Sequence, residues 1–116
     1  MSYITSTTPI TFEIDRSGGF PLVRCHGTLL AGVSDKFYNE MRQLIPGQKR
    51  IVLDLTDLIR MDSMGLGSVV RLYVTAKSAG CRLELINLGK QVRELLGVTH
   101  LLSIFVFIGE SGIKMG

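Results

Sequence analysis

The sequence predicts a single α/β domain, with a mixed sheet of four to five strands covered by three to four helices. Three observations carry that prediction. Strand-like and helix-like segments alternate along the chain, its 116 residues are of single-domain size, and apolar residues make up 46% against 20% charged. That balance buries a proper core and excludes a disordered chain. The order reads β-β-α-β-α-β-α-β, which implies parallel neighbours joined by right-handed crossovers.

Ile10, Phe12 and Ile14 alternate with Thr11, Glu13 and Asp15, the period-2 mark of a half-buried strand. Arg16-Ser17-Gly18-Gly19 is a turn, and a second strand over 22–26 completes an antiparallel hairpin. Val33, Phe37, Met41, Leu44 and Ile45 recur at helical spacing, and Pro46-Gly47 closes that helix. The run Ile51-Val52-Leu53-Asp54-Leu55 is nearly continuous in apolar content, as in a central strand covered on both faces.

After a short connection, with Asp57 in a turn, a helix opens at Ser63 and ends at Ala79-Gly80. Leu66, Val69, Val70, Tyr73 and Ala76 form its buried side. A strand follows over 82–86, then a helix over 90–96 that stops at Gly97, then a strand over 104–108. Residues 1–9 form an N-terminal extension, 10–109 the domain and 110–116 a tail.

Composition narrows the function. The net charge is +3, with Lys and Arg scattered from Arg16 to Lys114. No basic block or aromatic-basic stripe appears, so the sequence argues against nucleic acid as a partner. Cys25 and Cys81 stand far apart, each in a strand-like segment, which suits reduced, buried thiols. The N-terminus lacks a signal pattern, and the apolar stretch 101–108 falls far short of the roughly 20 residues of a membrane helix. A cytoplasmic chain without membrane insertion is expected.

Nothing assembles into catalysis. His26 and His100 sit in no triad or ligand pattern, and no metal spacing occurs. Asp54 and Asp57 read as locally capped or paired carboxylates. Gly65-Leu66-Gly67-Ser68-Val69-Val70 satisfies neither the P-loop nor the dinucleotide fingerprint. The expectation is a protein that is not an enzyme and needs no cofactor or metal.

One stretch stands apart: Met61-Asp62-Ser63-Met64-Gly65-Leu66-Gly67, at the junction of the central strand and its helix. Asp62 and Ser63 are both capping residue types, and either side chain can accept from an early helical N–H. Capping leaves Gly65 and Gly67 unexplained, since each glycine early in a helix costs about 1 kcal/mol relative to alanine. Close packing on the sheet accounts for one glycine more easily than two. A helix N-terminus also tolerates phosphate, so a phosphate on Ser63 would change the local charge by about −1.5 to −2 and repel a partner docked there.

The strand Ile51-Val52-Leu53-Asp54-Leu55 followed by Asp62-Ser63-Met64-Gly65-Leu66-Gly67 resembles the STAS domain family, and within it the anti-anti-sigma factors. The second run is similar to that family's Asp-Ser-(Ser/Thr)-Gly-Leu-Gly signature. Gly80-Cys81-Arg82-Leu83-Glu84-Leu85, then Val92, Leu95, Leu96 and Leu101, extend the resemblance from about Thr11 to Ile108.

The resemblance implies an anti-sigma factor antagonist that acts by partner switching. Its unphosphorylated form binds an anti-sigma factor that is also a serine kinase, and so frees the sigma factor. Phosphorylation at Ser63 abolishes binding and a phosphatase restores it. Asp62, Met64, Gly65, Leu66 and Gly67 would form the partner-binding surface.

Three positions depart from the family pattern. Met64 replaces a small hydroxyl residue, Gly27-Thr28-Leu29-Leu30 lacks the acidic residues of Gly-Glu-Leu-Asp, and His100 replaces a glycine. Met64 either widens the recognition surface or packs beside Leu66. The alternative role is a non-switching scaffold subunit in a stress-sensing assembly or a lipid-transporting ABC system.

Overall fold

The computed structural model describes residues 9–99 and 106–108. Five strands form one sheet in the order β1-β2-β3-β4-β5. Strands β1 (Thr11–Asp15) and β2 (Leu22–Leu29) are the antiparallel hairpin, and β3 (Arg50–Met61), β4 (Arg82–Ile86) and β5 (Val106–Ile108) extend it in parallel. Helices α1 (Ser34–Met41), α2 (Ser63–Ser78) and α3 (Lys90–Val98) make the crossovers. The fold class and element order are those expected. Of the extension over 1–9 only Pro9 is described, bridged to Thr28; residues 1–8, His100, the first part of the last strand and the tail lie outside the described residues.

Each parallel strand pairs with its predecessor, so successive right-handed crossovers step the same way and place their helices on one face. Phe37 and Met41 of α1, Leu66, Val69, Leu72 and Ala76 of α2, and Val92 and Leu96 of α3 share one apolar cluster with Val23, Ile51, Leu53 and Leu83. On α2 the buried stripe centres on Leu72, while Val70 and Tyr73, expected on it, are only half-buried. Helix α2 ends in a Schellman motif: Gly80 at φ +75° lets its own N–H reach Lys77 O and the Cys81 N–H reach Ala76 O.

Several expected boundaries shift. Strand β2, expected over 22–26, runs on to Leu29. The helix read over 33–45 is α between two 3-10 turns, Ala31–Val33 and Arg42–Leu44. Helix α3 runs through Gly97 to Val98, where Thr99 Oγ1 donates to Leu95 O and Leu96 O.

The largest correction concerns β3, which continues through the supposed connection to Met61 with β2 beside it. The register shifts twice, between Arg24 and His26 and between Gly27 and Thr28. Each shift resets the in-out phase, so Leu58 and Met61 point inward between exposed pairs and the strand loses its period-2 signature. Asp57 is therefore a strand residue. His26 lies between it (Nδ1 to Oδ2, 3.3 Å) and Glu13 (Nε2 to Oε2, 2.9 Å).

The other face of β3 is not covered by helices, as its apolar run had suggested. Charged side chains close it instead. Glu84 is wholly buried beneath Arg50 (2.9 Å) and Arg82 (2.6 Å), and Arg50 also stacks on Phe20. Asp54 Oδ1 accepts from Thr56 N (3.0 Å), Thr56 Oγ1 (2.6 Å) and Asn87 Nδ2 (3.1 Å), while Oδ2 faces Arg24 Nε at 3.5 Å. Cys25 and Cys81 are free and buried. Burial, and then the nearby Asp54 charge, push the Cys25 thiol up to about 12.

Burial by itself would raise the Asp54 carboxyl, but the Thr56 and Asn87 hydrogen bonds and the Arg24 charge outweigh it and hold the group below its ordinary value. The stability this adds is present above the unfolded value of about 3.9 and is lost as pH falls through the lower folded value. In urea melts, Asp54→Asn is expected to cost about 1–3 kcal/mol at pH 7. The gap to the wild type should close in strong acid, and a gap independent of pH would contradict this account.

Candidate functional site

The sheet delivers Ser63 to the C-terminal ends of the parallel strands, where α2 begins. Asp62 is extended (φ −105°, ψ −176°) and is the N-cap. Its Oδ1 accepts from Gly65 N at 2.8 Å, and its Oδ2 accepts from Ala31 N at 3.0 Å, just beyond β2. Asp62 N donates to Leu29 O at 3.3 Å. One carboxylate thus caps α2 and ties the helix to the β2–α1 connection.

Because Asp62 is the cap, Ser63 is not. Ser63 is the first residue of α2, it is exposed, and its hydroxyl has no hydrogen-bond partner among the described residues. Sequence left open which of the two side chains caps; geometry assigns the cap to Asp62 and leaves the hydroxyl free.

The two glycines separate cleanly. A Cβ on Gly65 would lie 2.1 Å from Leu29 O, so only glycine lets the helix sit this close to β2. A Cβ on Gly67 would meet nothing within 4 Å. Close packing explains the first glycine; the second opens outward.

Met64 is 58% exposed, and along the same helix Gly67, Arg71 and Val74 are exposed too, the last at 55%. Their spacing of three, four and three residues makes one outward stripe down α2. Arg71 is set in that stripe by Asp35 (3.3 Å) and by stacking on Tyr38, 4.2 Å from the ring centroid. Two shallow hollows of about 180 Å³ each, by Phe20 and by Leu22, lie toward the opposite ends of the strands. Among the described residues no three His, Cys, Asp or Glu side chains converge to hold a metal. The site is a surface.

Residues 11–112 match the family model of the STAS domain. The chain belongs to the STAS domain family. Solved STAS-fold structures resemble it over most of its length. An anti-sigma factor antagonist from Mycobacterium paratuberculosis is 17% identical over 86% of each chain, with a TM-score of 0.75. The anti-sigma factor antagonist SpoIIAA in its unphosphorylated form is 19% identical over 87% of this chain and 90% of that one, with a TM-score of 0.71. The Bacillus cell fate determinant SpoIIAA in its phosphorylated form is 18% identical over 87% and 94%, with a TM-score of 0.66. At these identities the likeness is one of fold.

In this STAS domain the expected partner-binding residues divide. Met64 and Gly67 are exposed beside Ser63, and Asp62 is half-buried with both carboxylate oxygens engaged. Gly65 and Leu66 are buried against the sheet layer. Met64 projects to solvent and does not pack away beside Leu66. Sequence reasoning passed over Arg71, Val74 and Ile59, the last 68% exposed within the second register shift of β3. The helical wheel of α2 held the signal for Val74, whereas Ile59 had none. Among the described residues no helix is long and apolar enough to cross a membrane.

Substitutions should separate the glycines. Gly65→Ala is expected to lose about 2 kcal/mol or more in denaturant melts, because backbone must move to admit the methyl. Gly67→Ala is expected to be neutral or to gain up to about 1 kcal/mol. Asp62→Ala should lose about 1–2 kcal/mol through the lost cap. Equal melts for the two glycine variants would contradict the packing described.

Proposed function

We propose that this STAS domain is an anti-sigma factor antagonist that works by partner switching. Its unphosphorylated form binds an anti-sigma factor that is also a serine kinase, and the sigma factor is released. The kinase phosphorylates Ser63, binding is lost, and a phosphatase resets the protein. The observation that carries this reading is the division of labour at the α2 terminus: Asp62 caps, and Ser63 presents a free hydroxyl.

The physics follows from that division. Among the described residues a phosphate on Ser63 breaks no existing hydrogen bond of that side chain, and the first N–H groups of α2 favour its charge. The fold need not change. What changes is the surface, where about −1.5 to −2 charges appear beside exposed Met64 and Gly67. A partner seated over the neutral serine meets an unpaired, desolvated anion and leaves.

Binding of the co-purified partner by purified variants tests this. Ser63→Ala is expected to bind constitutively and Ser63→Asp to lose at least tenfold in affinity, with fold and melting unchanged. Met64→Ala should weaken binding while changing stability by no more than about 0.5 kcal/mol, as befits an exposed side chain. Equal affinity for the two Ser63 variants would overturn the switch. Unmodified Ser63 under all growth conditions, with transporter or large-assembly subunits co-isolated, would favour a scaffold.

A further inference from the structure

Strand β4 ends at Ile86, level with Asp54 of β3, but β3 runs on to Met61. Over that extension β2 lies on one side, and β4 supplies no ladder partner on the other. At Met61, the last strand residue before the Asp62 cap, the open edge is met by a side chain. Gln91 of α3 accepts from Met61 N through Oε1 at 2.9 Å and donates to Met61 O through Nε2 at 2.7 Å. Its carboxamide reproduces the donor-acceptor pair that a neighbouring strand would offer.

The contact is specific to that residue type. The carboxamide of Asn or Gln holds a donor and an acceptor side by side on one planar group without any change of protonation, and of the two Gln has the longer reach. Gln91 itself is exposed, so burial of its own side chain does not explain its place. Its neighbour Val92 is buried in the core and fixes α3 from behind. The α2 start is therefore held from both sides: through Asp62 by Leu29 of β2 and Ala31 of the turn after it, and by α3 through Gln91.

We infer that Gln91 is a positioning residue for Ser63, setting the pose in which its hydroxyl meets the kinase. This rests on the switch proposed above. Gln91 touches neither Ser63 nor a phosphate donor; it acts through Met61 and the Asp62 cap. A loosened Met61 lets the start of α2 sample poses in which the hydroxyl is misaimed, and phosphoryl transfer is sensitive to such aim. The expected signature is a fall in maximal rate with little change in apparent KM, because the exposed stripe on α2 remains.

The test compares wild type, Gln91→Ala, Gln91→Met and Gln91→Glu by two measurements. The first is hydrogen exchange of the Met61 amide against core amides such as Leu53. The second is phosphate incorporation at Ser63 from labelled ATP, catalysed by clarified lysate of the source cells, across a range of added chain. Gln91→Ala and Gln91→Met should speed Met61 exchange and lower the maximal rate, each on the order of tenfold, with Leu53 exchange unchanged. Gln91→Glu, which accepts but cannot donate, should fall between them and the wild type.

Faster Met61 exchange with an unaltered phosphorylation rate would overturn the positioning role and leave the switch intact. A wild-type chain that takes no phosphate would overturn the switch and this inference with it. An equal fall in Leu53 protection would mean that the substitutions loosen the whole domain, and would also overturn it.

Discussion

Everything at the start of α2 depends on how closely that helix approaches β2. Gly65 presses on the carbonyl of Leu29, and the Asp62 carboxylate stitches the same two segments together through Gly65 N and Ala31 N. The two contacts are mutually required. Without a glycine the helix stands off and the carboxylate cannot span both donors; without the carboxylate two backbone N–H groups lose their acceptor. Ser63 benefits from this arrangement without taking part in it. A residue that does no structural work can change its charge freely.

The rest of the sheet solves a different problem. With the helices confined to one face, the central strand would expose its second face, including Val52. That face is sealed by arginines laid over buried carboxylates, with Glu84 under two of them and Asp54 held by three hydrogen bonds. A single unpaired carboxylate there would cost several kcal/mol, so each is surrounded before it is buried. The result is a charged back opposite the face that carries the helices.

Much of this was legible from local pattern. The β1 alternation, the β3 apolar run, the glycine after α2 and the Asp62-Ser63 junction each announce themselves within a few residues. Ile14 shows the limit, since it keeps the phase of Ile10 and Phe12 yet remains exposed on the edge strand. What stayed hidden involves register or long separations. The two shifts in β3 disguised residues 56–60 as a connection, and nothing near Asp62 or Met61 in sequence points to Ala31 or Gln91, about 30 positions away. Gly97 misled for the opposite reason: a strong local stop signal was overridden by a helix that continues one residue further.

The strand order 1-2-3-4-5 carries a consequence for how the chain comes to be folded. Each strand docks on one already made, so no segment must wait for a later one or be threaded between earlier ones. The hairpin, β3 and α2 can assemble in the order in which a ribosome releases them, leaving the Ser63 platform to be tightened last, when α3 emerges and brings Gln91 to its edge.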